Sequence, residues 1–490
     1  MSSGMRKVSL AADKTRPCLG VRKPDIRRLL VAILAPLVIL CLPSCRREEA
    51  AGVPKVPIIL LSIDTLRADH LSCYGYGLET SPSIDRFSRE AVLFGNAISP
   101  SPVTTPAHLS IFTATTPAVH GRTNIANYQE GYEPLPAGII SAAEILKANG
   151  YITLGLHGGG NVDGLCGLKR GFDHYAYVPH ESLNSGLAEA IRSYRTQASP
   201  FFIFLHHYAC HDPYTKGPKD LRLHFVKNKK DEMAAVIDEF ESQHYSAQVR
   251  KRFWRHFVLR SPADRELVMA LYDGGVLYSD SLFAGMLDVL KKEGLYEEAL
   301  IIVLSDHGEE FFDHGGKLHA RLFIETLHVP LLIKFPHAKF SGRQVLKDVR
   351  TFDLFPTVFE YLGIKAQPVS FQGISFLPLI LNKGSYDPLV MSFSPWGNRL
   401  RFQGQGHVFA DEPVNRYKVP FWLFDRKNDP EEKVNLADSQ PELLRRLESQ
   451  SREIMRDQEQ LAVLFRGQSG SRVEIDEEVV EKLRALGYIR

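Results

Sequence analysis

The chain reads as an α/β protein with a largely parallel β-sheet covered by helices on both faces. Three observations predict this. Several segments are apolar without alternation, as expected of strands buried on both sides. They alternate with stretches of helical period. Three of them run directly into aspartate or histidine, at the sheet edge where such folds collect ligands.

VPIILLSID (56–64) is the first of these strands, and it delivers Asp64 at its C-terminal end. AAEILKANGYITLGL (142–156) is a helix closed by Gly150, followed by a strand. SPFFIFLHHY (199–208) is a strand ending in His206 and His207. Residues 216–268 are charged and helical in pattern, with no chemistry attached to them. LYDGGVLYSDSLFAGMLDVLKKEG (271–294) has helical periodicity, with Gly294 as its stop. ALIIVLSDHGEE (299–310) is a strand running into Asp306 and His307, and VPLLIKF (329–335) is one more.

A chain of 490 residues has room for a large domain and a smaller appendage. Its 44% apolar and 24% charged content is that of a globular protein. A net charge of +2 supplies no electrostatic ground for a nucleic-acid partner. The N-terminus stands apart: Arg27 and Arg28 precede the apolar run LLVAILAPLVIL (29–40), and Leu42-Pro43-Ser44-Cys45 resembles a bacterial lipobox. Residues 1–45 are expected to be a secretory leader with Cys45 as the lipid site, the alternative being an uncleaved anchor. Either way the body is expected outside the cytoplasm, periplasmic or at the cell surface. Beyond the leader, Cys73, Cys166 and Cys210 have no CxxC spacing and read as small buried residues, with room for one bridge.

Asp64, Asp306 and His307 are hard oxygen and imidazole ligands suited to one divalent ion, Ca, Mg, Mn or Zn. A lone carboxylate after a strand is usually a cap or turn residue. Asp306-His307-Gly308 is more specific, because glycine lets the chain turn and present both side chains. Thr104-Thr105-Pro106 is a helix start, with Thr105 as the N-cap and Pro106 as the first helical residue. Thr104 is then placed just before a helix N-terminus, where an anion is favoured. A hydroxyl there, touching the divalent ion so that Thr104 joins Asp64, Asp306 and His307 as a ligand, can lose its proton and attack a tetrahedral ester. His206, His207 and His211 follow one site strand, and His314 and His319 follow another. His108 and Lys317 are candidates for contacting a negatively charged ester.

With these residues in view the chain resembles the sulfatase family of the alkaline phosphatase superfamily. SIDTLRADHLSCYGYGLETSPSIDRFSREAVLFGNAISPSP (62–102), TTPAHLSIFTATTPAVHG, GLKRGFDHY (167–175), FFIFLHHYACHDPY (201–214) and GLYEEALIIVLSDHGEEFFDHGG (294–316) carry the likeness. It continues through LFIETLHVPLLI (322–333), DLFPTVFEYLGI (353–364) and WLFDRKNDPEEKVNLA (422–437), covering about residues 55–437 in order. The resemblance implies a mixed sheet sandwiched by helices, with a small C-terminal α+β subdomain. It implies a metal held by Asp64, Asp306 and His307, with Thr104 at the nucleophile position. His211 and His319 match positions that hold the sulfate or protonate the leaving group, and His206 and His314 match more weakly.

The departures are chemical. Sulfatases carry a C/S-x-P-S-R signature whose Cys or Ser becomes formylglycine; here Thr104-Thr105-Pro106-Ala107-His108 stands there, so no formylglycine is expected. Thr65 replaces the second aspartate, and LHGGGNVDG replaces the stretch that should hold a lysine and a histidine. The set resembles the metal–threonine site of phosphoethanolamine and phosphoglycerol transferases and nucleotide phosphodiesterases. The expected organisation is a leader (1–45), linker (46–55), catalytic domain (56–365), C-terminal subdomain (366–460) and helical tail (461–490). The expected function is an exported, membrane-tethered hydrolase of sulfuric or, more readily, phosphoric esters of a small molecule, glycan or lipid. The alternatives are a catalytically degenerate binding protein and a phosphoryl transferase acting on envelope lipid or glycan.

Overall fold

The structure, a computed structural model, describes residues 56–122, 135–195, 199–227, 247–256, 261–365, 370–395, 397–414 and 419–466. The expected leader and linker lie outside the described residues, as do most of the expected tail and part of 216–268. Among the described residues no helix is long and apolar enough to cross a membrane.

Eight strands form the central sheet: β1 (Ile58–Ile63), β2 (Val92–Phe94), β3 (Ile152–His157), β4 (His174–Tyr177), β5 (Phe201–His207), β6 (Leu300–Leu304), β7 (Leu331–Lys334) and β8 (Gln344–Val345). Their order is β8-β2-β7-β6-β1-β5-β3-β4. β1 pairs in parallel with both β5 and β6, and β3 pairs in parallel with β4 and β5. β7 runs antiparallel to β6 and β2. The sheet is therefore mixed and largely parallel.

Burial on both faces explains the unbroken apolar strands. Ile59, Leu61 and Ile63 of β1 pack in one core cluster with Ile203, Leu205, Ile301 and Val303. Ile58 and Leu60 point the other way, with Phe202, Phe204, Leu300 and Ile302. Helices α1 (Thr104–Thr113), α2 (Ala142–Ala148), α3 (Leu183–Tyr194), α4 (Pro262–Lys292) and α5 (Leu354–Leu362) supply the covering layers. Buried residues of α3 and α4 fall in the first cluster and those of α1, α2 and α5 in the second. α2 starts in a reciprocal Ser141–Glu144 capping box, and the left-handed Gly150 (φ 84°) ends its turn as expected. α4 begins nine residues before the expected Leu271, because Pro262 is an effective first helical residue. It runs for 31 residues, up to the left-handed Gly294. At Gly275 a Cβ would meet the Cα of Cys210 at 3.0 Å, so the missing side chain lets α4 press against the loop that carries His211.

A four-stranded antiparallel sheet follows, β9 (Met391–Phe393), β10 (Leu400–Gly404), β11 (His407–Val414) and β12 (Val419–Asp425), in sequential order, and then helix α6 (Pro441–Arg466). This sheet is fastened to the body through Glu432. Its carboxylate pairs with Arg401 of β10, both side chains being fully buried. Its second oxygen accepts the Ile324 amide at 3.1 Å. Removing one member of a buried pair leaves the other charge uncompensated, so Glu432→Ala is expected to cost about 3–5 kcal/mol, measured by urea unfolding. A cost below 1 kcal/mol would show that the clasp is not structural.

Candidate active site

Register places the chemistry. Ser62 of β1 sits opposite His206 of β5 and Leu304 of β6, so Asp64, His206 and Asp306 emerge at one level of the C-terminal edge. The Asp64 amide continues the ladder by donating to the His207 carbonyl at 3.1 Å. Asp64, Asp306 and His307 are fully buried, and one ligating atom from each lies within 4.8 Å of the other two.

This trio fits a divalent cation. Asp64 Oδ1 and Asp306 Oδ2 are buried without a hydrogen-bond partner. Burial pushes the Asp64 carboxyl up to about 6 against the pull of His307 and Lys216. Burial and then the proximity of Asp64 raise Asp306 as well. Two buried carboxyls facing one imidazole resist ionising together. A cation between them removes that conflict, and the O, O, N donor set suits Ca, Mg, Mn or Zn. Thr65, at the position of the missing second aspartate, has a left-handed backbone (φ 60°). Its hydroxyl faces the Cys210 thiol at 4.0 Å.

Thr104 is the first residue of α1. Its hydroxyl lies 3.2 Å from Asp64 Oδ2 and 3.3 Å from His307 Nε2, fully buried at the positive end of a ten-residue helix. The helix thus starts two residues earlier than expected, with extended Val103 in the N-cap position. Thr105 is not the cap: its hydroxyl donates to the Asn161 carbonyl at 2.8 Å. Pro106 is tolerated as the third helical residue because the first turn has no internal partner for its amide anyway.

The histidines divide into two groups. His206 Nε2 lies 3.4 Å from Asp64 Oδ2, and burial pushes its pKa down to about 3. His211 Nε2 is 4.0 Å from Asp64 Oδ1, while its Nδ1 donates to the Asp212 carbonyl at 3.0 Å. His319 pairs with Glu309 at 3.1 Å. Its ring centroid is 4.5 Å from that of His307 and 5.4 Å from that of His211. These three gather around the metal-type cluster. His108 and His314, expected as substrate contacts, are each engaged with protein partners on both ring nitrogens. His108 Nδ1 donates to the Thr104 carbonyl, and its Nε2 accepts from Ser62, both at 2.9 Å. Shorter than the arginine it replaces, it props Asp306 Oδ2 at 3.5 Å instead. His314 is spent on the clasp, with Nδ1 on Glu325 at 2.8 Å and Nε2 on the Glu432 carbonyl at 2.7 Å. Glu325 raises its pKa against the effect of burial. Exposed Lys317 lies over the Trp254 ring at 4.7 Å. That indole donates to Asp212 at 3.0 Å, two contacts from His211.

Three further groups had no mark in the sequence reading. Lys216 donates to the Tyr208 carbonyl at 2.8 Å; burial pushes it down to about 8, and its charge reaches Asp64. Asp212 holds Arg250 and orients His211. Glu309 backs His319, and burial raises it to about 8. Only their closeness in sequence to His211 and His307 could have suggested them. Cys73 and Cys210 are both free, and the Cys210 thiol donates to the Asp64 carbonyl at 3.0 Å.

The sulfatase family profile matches residues 57–364. An N-acetylglucosamine-6-O-sulfatase of Bacteroides thetaiotaomicron is 21% identical over 544 aligned positions, spanning 89% of this chain and 93% of that one. Among solved structures, yidJ of Bacteroides fragilis, described as a sulfatase, matches with a TM-score of 0.65 at 18% identity. That match covers 84% of this chain and 98% of the other. The phosphonate monoester hydrolase of Agrobacterium radiobacter matches at 0.59 and 19% identity, covering 82% and 96%. Fold and site together define an ester hydrolase with a buried hydroxyl set against a carboxylate–imidazole cluster at the sheet's C-terminal edge. The chain belongs to the sulfatase family, within the alkaline phosphatase superfamily.

Proposed function

We propose that this chain is an exported, membrane-tethered, metal-dependent hydrolase in which Thr104 attacks the ester, phosphoric esters being better substrates than sulfuric ones. The observation that carries this reading is the Thr104 hydroxyl, held within 3.3 Å of both Asp64 and His307 at the start of α1. Asp64, Asp306 and His307 would hold a divalent cation, which when bound would supply positive charge to acidify the hydroxyl and offset charge on the ester.

Thr104 gives its proton to the neighbouring Asp64 Oδ2, and Oγ attacks phosphorus. The new Oγ–P bond forms as the bond to the leaving alcohol breaks, and the leaving oxygen takes a proton from His211 or His319. Burial holds both imidazoles neutral in the free site, His319 at about 4. An anionic ester arriving beside them raises their affinity for a proton, so the acid is loaded together with the substrate. Water then attacks phosphorus and gives a proton to the now neutral His211 or His319; the Oγ–P bond breaks, and Oγ takes its proton back from Asp64 Oδ2, which restores the hydroxyl.

Chemistry favours phosphorus here. A formylglycine hydrate sheds its sulfate by collapsing to an aldehyde through its second hydroxyl. Threonine has only one hydroxyl, so its adduct has to be cleared by attack at the central atom. Relatives named for sulfated sugars and for phosphonate monoesters bracket the ester classes to try. The substrate is a small-molecule, glycan or lipid ester.

The test is to trap the adduct. The metal-loaded chain is quenched during turnover of a slow phosphodiester and of a slow sulfate ester, and its peptides are mass-mapped. A single phosphoryl group on the peptide containing Thr104 is expected. An adduct on another residue would remove Thr104 from the reaction.

A further inference from the structure

The loop after β3 faces α1, and no step above uses it. Residues 157–162 read His-Gly-Gly-Gly-Asn-Val, with Gly159 and Gly160 in the left-handed region at φ 81° and 62°. The loop is pinned in place. Thr105 donates to the Asn161 carbonyl at 2.8 Å, and Tyr208 donates to the Gly159 carbonyl at 3.1 Å. A Cβ on Gly158 would meet the Tyr208 ring at 2.8 Å and His206 Nδ1 at 3.6 Å. The chain is therefore wedged between the N-terminus of α1 and the histidine beside Asp64. There Asn161 is fully buried, and neither its amide oxygen nor its amide nitrogen has a hydrogen-bond partner. An unmet buried polar group costs about 1–3 kcal/mol and calls for a partner, which an ester bound in front of Thr104 supplies.

We propose that the Asn161 side-chain amide binds a non-bridging oxygen of the ester, and that with this neutral donor the site selects tetrahedral esters carrying one negative charge. This rests on the Thr104 reading and deepens it. The resemblance places a lysine and a histidine in this loop; Asn161 offers hydrogen bonds there without charge. His108, at the arginine position, is tied to Ser62 and to the Thr104 carbonyl, so it brings no replacement cation to the ester. A phosphodiester, a phosphonate monoester or a sulfate monoester carries the single charge this suits. A phosphate monoester is mostly dianionic at neutral pH and is the poorer fit.

The experiment compares wild type, Asn161→Ala, Asn161→Lys and Thr104→Ala as metal-loaded full-length chains. The substrates are bis(p-nitrophenyl) phosphate, p-nitrophenyl phenylphosphonate, p-nitrophenyl sulfate and p-nitrophenyl phosphate, and the arms identify which singly charged class is used. Calorimetric binding of dimethyl phosphate gives the same comparison without turnover. Asn161→Ala is expected to lower kcat/KM about 100-fold on the preferred ester, as for loss of one oxyanion donor, and to weaken dimethyl phosphate binding. Its unfolding midpoint is expected to stay level or rise, since an unsatisfied group has gone. Asn161→Lys is expected to shift preference towards p-nitrophenyl phosphate. If Asn161→Ala keeps wild-type kcat/KM and dimethyl phosphate affinity, Asn161 has no part in binding, whatever Thr104→Ala does. A lowered midpoint with unchanged kcat/KM per folded molecule makes Asn161 structural and overturns the proposal too. Wild-type turnover by Thr104→Ala, with Asn161→Ala impaired, would instead sink the nucleophile reading and leave Asn161 in place.

Discussion

Thr104→Ala is expected to lose at least on the order of 10,000-fold in kcat on the preferred ester, with the fold and the metal affinity largely kept. The residue supplies the attacking atom, and no other hydroxyl hydrogen-bonds to both Asp64 and His307 among the described residues. Loss of a nucleophile cannot be offset by tighter binding, so kcat falls and KM changes little. Thr104→Ser separates the hydroxyl from the methyl. Serine keeps Oγ at the same place on α1, and the variant is expected to stay within about tenfold of wild type. Steady-state kinetics on metal-loaded proteins of matched folding midpoint makes the comparison. Wild-type turnover by Thr104→Ala would end the case for a threonine ester intermediate. Equal loss in the alanine and serine variants would move the requirement from the hydroxyl to the packing around it.

What was legible in the sequence follows from what apolar runs encode. A strand buried on both faces is continuous in sequence, and the residue that ends it leaves the sheet at a known edge. The strand pattern alone therefore brings Asp64, Asp306 and His307 to one edge. Strand direction is not encoded that way: β7 looks like its neighbours but runs against β6. Helix starts fared less well: threonine-threonine-proline predicts a threonine cap, but both hydroxyls go to tertiary partners, Thr104 to Asp64 and His307 and Thr105 to Asn161, and extended Val103 takes the cap position. Side-chain reach also escapes sequence. His108 and Lys317 were expected at the ester from their charge. One is held inside by Ser62, and the other stacks on Trp254. Asn161 leaves no mark in the sequence, because a neutral residue in a glycine loop is distinguished only by its unsatisfied burial, and burial is a property of the folded chain.

The metal-type trio makes a prediction in which stability, proton binding and catalysis have to agree. In the metal-free chain Asp64 keeps its proton up to about pH 6, whereas an ordinary carboxyl releases it near 3.8. Between those values the folded state holds more protons than the unfolded one, so stability falls as pH rises. At about 1.4 kcal/mol per pH unit the interval is worth about 3 kcal/mol, lost in full above pH 6. Asp306 is shifted the same way and adds to the slope. A cation bound to the ionised pair reverses the penalty, so the rise in Tm on adding Mn²⁺ or Ca²⁺ is expected to grow from pH 4.5 to pH 7. Asp64→Asn removes one of the two carboxylates: its metal-free form is expected to be more stable than metal-free wild type above pH 6, and to respond weakly to metal. Its kcat is expected to fall on the order of 1,000-fold, since Thr104 loses both its proton acceptor and the charge that acidifies it. Thermal melts across pH, with and without chelator, read all of this without any substrate. A wild-type Tm indifferent to metal at pH 7 would mean that the trio binds no cation, leaving Thr104 with no source of acidity and the site with no reaction to perform.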